Sequence, residues 1–255
     1  MEKKYSIIFL GAFGNEAKKK VYDKLYYDLV EFYRDWGYLV TSLDVSIYNK
    51  NIIRNIDWND FKLRVGWNRD YAFTQYAVVF YILLNDNCNV YSINREYVRY
   101  MYTSELGRSL WTDKILDIWI KKWYKANIWL PEAFSEYKNI VMKKVTGLPW
   151  ILGNIKILIK LCQSNKLNIY EIEKYKNIWD MVCEIPYSNV ELIVDGKYEQ
   201  LKNNIYSRIL DALENGSIIN ACRYYINNYW IGDICDRQEY IQVGAILEKY
   251  MKNKL

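Results

Sequence analysis

Apolar residues recur along this chain with two different periods, and each period predicts one type of secondary structure. Residues 5–10 form a short run of β-branched and aromatic side chains, which predicts a buried strand. Between residues 17 and 36 the apolar positions recur every three or four residues, which predicts an amphipathic helix. Gly37 follows where a left-handed helix-terminating residue is expected. Residues 39–48 alternate and predict a second strand, joined to the first by a right-handed crossover.

The next stretch has a weaker pattern. Residues 58–67 alternate between apolar and polar side chains, which favours a further strand. Residues 76–84 are continuously apolar and favour a helix. A polar turn over residues 85–89 separates that helix from a short final strand at residues 90–92.

From about Ser104 onward the pattern is helical. Short connections between such helices favour an antiparallel bundle. We therefore expect an α+β protein with an α/β unit at residues 1–103 and a C-terminal antiparallel helical bundle at residues 104–255. The predicted helices span residues 104–126, 131–145, 149–165, 169–184, 190–214, 217–229 and 236–252.

The composition excludes several classes of chemistry. None of the 255 residues is histidine, so Ser-His-Asp and Cys-His catalysis and His-ligated metal sites are excluded. The net charge of +5 is mild, and basic and acidic residues alternate along most of the chain. This balance permits an anionic ligand such as a nucleotide, whereas nucleic-acid-binding proteins usually concentrate their positive charge.

Cysteine spacing and hydropathy indicate the expected compartment. The five cysteines are far apart and form no CxxC pair, as expected for reduced thiols. The longest apolar windows, such as residues 150–161, contain Asn and Lys and fall short of the roughly 20 apolar residues of a membrane-spanning helix. We expect a cytoplasmic protein without a membrane partner.

A glycine-containing loop follows the first predicted strand and precedes the first predicted helix. It comprises Gly11, Ala12, Gly14, Asn15 and Glu16. Free backbone N–H groups at a helix start, together with the close backbone approach that glycine allows, predict a phosphate-binding loop. The loop matches neither GxGxxG nor a P-loop, so an ordinary strand–helix turn is the alternative interpretation.

Asp44 is the carboxylate that we predict to be catalytic or metal-binding. It interrupts the predicted strand at residues 39–48. An acid on a strand beside a nucleotide-binding loop can hold Mg²⁺ or accept a proton from a hydroxyl group. The alternative is a side chain that points to solvent. Asp28, Glu31 and Asp35 are interpreted as solvated charges of the first helix, and Asp57 and Asp60 as capping or binding residues.

Tyrosine and tryptophan cluster at several places. Aromatic side chains stack on bases, but at helical spacing they usually fill protein cores. Residues 95–111, which include Arg95, Arg99 and Arg108, are the best candidate for a nucleic-acid surface. Nucleic acid remains the less favoured partner. The other clusters are Tyr22, Tyr26, Tyr27 and Tyr33; Tyr97, Tyr100 and Tyr102; and Tyr224, Tyr225, Tyr229 and Trp230.

Three segments of the chain carry a resemblance to a known family. Residues 43–49 (LDVSIYN), 76–91 and 150–174 (WILGNIKILIKLCQSNKLNIYEIEK) resemble, in the same order, segments of the spectinomycin/streptomycin-type aminoglycoside nucleotidyltransferases. The resemblance implies a nucleotidyltransferase-like N-terminal unit that binds a nucleoside triphosphate with Mg²⁺. It also implies transfer of a nucleotidyl group to a hydroxyl of a small polar acceptor, such as an aminocyclitol.

The sequence departs from that family at its paired acids. The family carries Asp-x-Asp on the strand that follows a Gly-Ser turn, and the two acids hold two Mg²⁺ ions. If residues 5–10 are that strand, Lys3 and Tyr5 stand where the acids belong. If Gly11-Ala12 is the Gly-Ser turn, the next acids, Asp23 and Asp28, fall in the predicted helix.

Two further functions therefore stay open. One is a catalytically inactive interaction protein of viral or toxin type with a degenerate nucleotide-binding fold, whose partner is another protein. The other is a Rossmann-like enzyme that acts on nucleosides or NAD and uses Glu16 or Asp44 as the nucleophile.

Overall fold

The computed structural model describes most of the chain. It covers residues 5–12, 23–40, 46–68, 71–85, 89–98, 114–147, 151–153 and 155–217, with isolated positions at 220, 221, 244, 245 and 249. The chain divides into two compact units, Met1–Val145 and Thr146–Leu255. The fold is α+β, as the sequence predicts, because a small mixed sheet is combined with many helices. The expected boundary between residues 103 and 104 lies outside the described residues and stays a prediction.

The four described strands form one mixed sheet in the order β2-β4-β1-β3. They are β1 (Ile7–Ala12), β2 (Lys24–Tyr26), β3 (Ser46–Tyr48) and β4 (Val90–Val98). β1 and β4 run parallel, while β3 is antiparallel to β1 and β2 is antiparallel to β4. The predictions of strands at residues 5–10 and 90–92 are confirmed.

The predicted right-handed crossover is wrong. Such a crossover joins parallel strands, but β1 pairs with β3 in the antiparallel sense, with Phe9 opposite Ser46. Among the described strands only β1 and β4 are parallel, and they are separated by the whole of β2, β3 and the intervening helices. Alternation along a strand predicts which side chains share a face, but it carries no information on strand direction.

The first helix, α1 (Leu29–Trp36), is shorter than its apolar pattern predicts. Residues 24–26 pair with β4 as strand β2, so the apolar spacing that continues through Leu25 is not helical there. Asp28 begins the helix by accepting hydrogen bonds from the backbone N–H groups of residues 30 and 31. Gly37 is right-handed (φ −52°), contrary to the prediction. A Cβ there would lie 2.5 Å from the Tyr33 carbonyl oxygen, which explains the glycine.

Residues 58–65 form a helix, α3, and the predicted strand at residues 58–67 is wrong. A short helix, α2 (Lys50–Arg54), precedes it. Asp57 begins α3 as its N-cap, and Gly66 ends it in the left-handed conformation at φ 64°. Phe61 and Val65 are buried four residues apart. The two capping residues therefore determine the structure more than the alternation does.

The core of the first unit surrounds α4 (Thr74–Asn85), which confirms the helix predicted at residues 76–84. Residues 76–83 are all buried. The Phe80 ring lies within 4.8–6.3 Å of the rings of four other buried aromatic residues. These are Phe32, Tyr33, Tyr76 and Phe134. α4 thus supplies the apolar centre against which α1 packs.

A run of helices completes the first unit. A π-helical turn (Asp117–Lys122) leads into α5 (Trp123–Ile128). After Pro131, a 3₁₀ turn (Glu132–Phe134) leads into α6 (Ser135–Thr146). The helix predicted at residues 131–145 is confirmed. The helix predicted at residues 104–126 is confirmed only from residue 115, since residues 99–113 lie outside the described part.

The described part of the second unit consists of α7 (Ile155–Gln163), α8 (Ile169–Glu173), α9 (Lys176–Val182), α10 (Tyr187–Val194) and α11 (Tyr198–Glu214). Two of the predicted helices are each divided in two. The helix predicted at residues 169–184 breaks at residues 174–175, and that at 190–214 breaks at residues 195–197. No helix of the described residues is long and apolar enough to span a membrane.

Candidate functional site

The predicted phosphate-binding loop begins at the C-terminal end of β1. Gly11 and Ala12 are the last two residues of this strand. Gly14, Asn15 and Glu16 lie outside the described residues. The strand that the sequence requires before the loop is therefore present, and the loop itself stays a prediction.

Asp44 also lies outside the described residues, so its assigned role stays a prediction, and the structure describes only the strand β3 that follows it. Ser46 is paired with Phe9, and the whole of β3 lies along the first half of β1. Gly11 follows Phe9 by two residues, and Asp44 precedes Ser46 by two.

The pairing of β1 with β4 is interrupted beside Gly11. Leu10 pairs with Ile93, and Ala12 pairs with Val98. One residue of β1 therefore lies opposite four residues of β4. Such bulges bend a strand and are frequent next to binding sites. The irregularity coincides with the end of β1 at which the loop begins.

A buried hydroxyl group lies next to the same part of β1. Ser92 pairs with Phe9 from the β4 side and is 1% exposed. Its Oγ has no hydrogen-bond partner among the described residues. An unpaired buried hydroxyl is costly, so Ser92 is a polar position that the fold of the described part does not explain.

The acids near α1 have structural roles. Asp28 is the N-cap of the helix. Glu31 accepts a hydrogen bond from Lys24 Nζ at 2.6 Å, and Asp35 accepts one from Arg34 Nε at 2.9 Å. Tyr26 also donates to Asp35, at 3.1 Å. The three acids remain exposed or part-exposed, as expected for solvated charges, and the structure adds that they serve as a cap and as partners in ion pairs.

Asp57 and Asp60 likewise serve α3. Asp57 caps the helix through the N–H groups of residues 59 and 60. Asp60 accepts a hydrogen bond from the Tyr81 hydroxyl at 2.7 Å and another from Arg64 Nε at 3.0 Å. The hydrogen bond from Tyr81 and the adjacent guanidinium lower the pKa of Asp60. Capping is therefore the role that the structure shows for Asp57.

The aromatic clusters divide between core and surface. Tyr26 and Tyr33 are buried, whereas Tyr27 is 73% exposed. Cys183 is buried and Cys162 is half-buried; burial raises the pKa of the Cys162 thiol to about 11. The other clustered aromatic residues, the side chains of Arg95, Arg99 and Arg108, and the remaining cysteines lie outside the part of the chain whose side chains are described.

Metal-ligating side chains do not form a group of three or more among the described residues. Sequence reasoning missed one feature, an open cleft of about 710 Å³ beside α10 and α11, which is lined by Ile169 and Leu192 as well as by polar side chains. A signal for it was present in the sequence. Polar residues recur at positions 188, 191 and 195 and at positions 200, 203 and 204, with helical spacing on both helices.

Comparison with protein-family models, with curated proteins and with solved structures finds no match to this chain.

Proposed function

We propose that this protein binds a nucleoside triphosphate together with Mg²⁺ and transfers a nucleotidyl group to a hydroxyl of a small polar acceptor. The proposal includes a nucleotidyltransferase-like unit at residues 1–103 and a bundle arrangement of the helices at residues 104–255. The observation that carries it is the pairing of Phe9 with Ser46. This pairing sets Ser46, which follows Asp44 by two residues in the sequence, opposite Phe9, which precedes Gly11 by two.

The predicted loop and Asp44 match the chemistry of a triphosphate. Gly11, Ala12, Gly14, Asn15 and Glu16 form the segment whose backbone N–H groups would face the phosphates. Magnesium is commonly bound by one or two carboxylates together with substrate phosphate oxygens, so the single carboxylate of Asp44 meets that requirement. When bound, the metal would neutralise phosphate charge.

Asp44 has a second role in the proposal. Its carboxylate would accept the proton of the acceptor hydroxyl, so that the oxygen becomes a better nucleophile. The interrupted pairing of β1 with β4 beside Gly11 supports a site here, because such irregularities are frequent next to active sites.

A thermal-shift experiment on the full chain tests the proposal. The melting temperature is measured with ATP, GTP, CTP and UTP, each with and without Mg²⁺. A ligand at about 100 times its dissociation constant stabilises the fold by about 2.7 kcal/mol. We expect one triphosphate to raise the melting temperature in a magnesium-dependent way, and Asp44→Asn to abolish that increase.

Asp211→Asn is the matched control. It makes the same chemical change at an exposed position of α11 and should leave the shift unchanged. The absence of a magnesium-dependent shift with all four triphosphates would contradict the proposal. A shift that persists in Asp44→Asn would remove the role assigned to that residue.

A second candidate is a catalytically inactive binding protein with a degenerate nucleotide-binding fold. The absence of the paired Asp-x-Asp acids from the sequence favours it. The two candidates differ in turnover. Incubation of the protein with the stabilising triphosphate, Mg²⁺ and aminocyclitol acceptors should release pyrophosphate if the first is correct and none if the second is correct.

A further inference from the structure

The helix α11 ends at an asparagine that is followed by a glycine. Asn215 is the C-cap residue, with φ −76° and ψ 7°, and Gly216 follows it in the left-handed conformation at φ 72°. Both residues are exposed. They form the only Asn-Gly pair in the sequence, so the chemistry that this pair permits is confined to one place in the chain.

An asparagine before a glycine can lose its side-chain amide by an intramolecular reaction. The backbone nitrogen of the glycine attacks Cγ of the asparagine, and the new N–C bond closes a five-membered succinimide ring. The side-chain NH₂ leaves as ammonia with the proton of the attacking nitrogen. Water then opens the ring at either carbonyl and gives aspartate or isoaspartate. Glycine permits the attack most readily because it has no Cβ to obstruct the approach.

The folded end of α11 holds the attacking nitrogen away from its target. The backbone N–H of Gly216 donates to the Leu213 carbonyl at 2.9 Å, and that of Ser217 donates to the Ala212 carbonyl at 2.8 Å. This pair of hydrogen bonds is the Schellman arrangement of a helix end. Ring closure needs a rotation of ψ at Asn215 that turns this nitrogen toward the side chain, out of the helical range. The two hydrogen bonds oppose that rotation.

The side chain of Asn215 is held as well. Its Nδ2 donates to the Asp211 carbonyl at 2.8 Å, and its backbone N–H donates to the same oxygen at 3.0 Å. Leu213, which is 6% exposed, packs this last turn of the helix against the fold. Since helix ends open more readily than helix centres, the reaction requires an opening that is local to this turn.

We propose that Asn215 is a deamidation site and that opening of the last turn of α11 controls its rate. The aspartate product adds a carboxylate at the C-terminal end of a helix whose last turn has no basic residue, where the helix already carries partial negative charge. In the isoaspartate product the main chain gains one methylene group, so the hydrogen bonds of the cap no longer align. Deamidation is therefore an irreversible step that loosens the end of α11, and it is independent of nucleotide binding.

Peptide mapping of the full chain by mass spectrometry tests the site. The protein is incubated at neutral pH, folded or unfolded in guanidinium chloride, and the tryptic peptide of residues 209–223 is followed over time. We expect Asn215 to convert at least about tenfold more slowly in the folded chain, because only the opened turn reacts. Asn220 is the internal control, since it lies exposed on the same peptide and is followed by Ala221.

The two parts of the proposal fail on different outcomes. Conversion of Asn215 in the unfolded chain that is no faster than that of Asn220 would contradict the site. Equal rates for Asn215 in the folded and the unfolded chain would contradict control by the helix end.

Two leucine variants form a matched pair that tests the opening. Leu213 is 6% exposed, whereas Leu210 is 51% exposed on the same helix. Leu213→Ala should open the last turn more often and accelerate conversion in the folded chain at least about fivefold. Leu210→Ala should leave the rate unchanged. In guanidinium chloride both variants should react at the rate of the unchanged chain. Equal rates for the two folded variants would overturn the proposed control.

Asn215→Asp reproduces one product and tests its consequence. Hydrogen exchange of the Gly216 and Ser217 amides should become faster in this variant, because the new charge weakens the cap. Asn203→Asp is the control, since it adds the same charge at an exposed position within α11 and should leave the exchange of these amides unchanged. Unchanged exchange in Asn215→Asp would contradict the proposed loosening.

Discussion

The Tyr33 hydroxyl donates a hydrogen bond to Oδ1 of Asn127 at 2.9 Å, although 94 residues separate the two in the sequence. The Tyr76 hydroxyl donates to the same oxygen at 2.6 Å. Asn127 is completely buried and its Nδ2 donates to the Trp123 carbonyl at 2.8 Å. Burial raises the pKa of both tyrosines, so both remain neutral donors. One amide thus connects α1, α4 and α5 within the first unit.

Removal of this amide should destabilise the protein more than removal of either tyrosine hydroxyl. Tyr33→Phe loses one hydrogen bond and should lower the free energy of unfolding by about 1 kcal/mol. Asn127→Ala leaves two buried hydroxyls without their acceptor and should cost about 3 kcal/mol or more. Urea unfolding followed by tryptophan fluorescence measures both. Tyr27→Phe, at a 73% exposed position, is the control that should change nothing.

The Tyr81–Asp60 hydrogen bond should make the stability of the folded protein depend on pH. The pKa of Asp60 is lowered in the folded state. The stabilisation that the hydrogen bond provides is therefore complete above the ordinary aspartate pKa of about 4, and it is lost as the pH falls through the lowered value. Tyr81→Phe should therefore destabilise the protein more at pH 7 than at pH 3. Melting temperatures across this range test it. In an Asp60→Asn background the effect of Tyr81→Phe should no longer depend on pH.

Asn165 should be replaceable by glycine with a gain in stability. Asn165 follows α7 with a φ of 56°, in the left-handed region. The backbone N–H groups of Lys166 and Leu167 donate hydrogen bonds to the carbonyl of Leu161, which lies in the last turn of α7. We expect Asn165→Gly to raise the free energy of unfolding by a few tenths of a kcal/mol, whereas Asn165→Ala should lower it by about 1 kcal/mol. Thermal unfolding distinguishes them. Equal melting temperatures for the two variants would contradict the assigned conformation.

Ser92 should tolerate loss of its hydroxyl. Since its buried Oγ has no partner among the described residues, Ser92→Ala should leave stability unchanged or increase it by about 1 kcal/mol. Thr146→Val provides the contrast. The Thr146 hydroxyl donates to the Val182 carbonyl at 2.6 Å, and its loss should cost about 1–3 kcal/mol because a buried carbonyl loses its donor. Thermal unfolding of both variants measures the difference. A destabilised Ser92→Ala would mean that the hydroxyl has a partner.

Local signals in the sequence were sufficient for some elements and misleading for others. The apolar run at residues 76–83 is buried on all sides, so its helix could be predicted from hydrophobicity alone. At residues 58–65 the alternation favoured a strand, yet Asp57 and Gly66 begin and end a helix. A capping residue satisfies backbone groups that the end of a helix leaves unpaired. The residues at the two ends of this segment therefore predicted its structure better than the alternation within it.

The sequence by itself determined the α+β composition, the strands at each end of the first hundred residues, and the exclusion of histidine chemistry. These depend on local periodicity and on residue types, which are properties of short segments. Only the tertiary structure decided that β3 pairs antiparallel to β1, that residues 24–26 extend the sheet instead of α1, and that Asn127 is the shared acceptor of two tyrosines. These depend on pairing and packing between residues distant in the chain, where burial and hydrogen bonding outweigh local propensity.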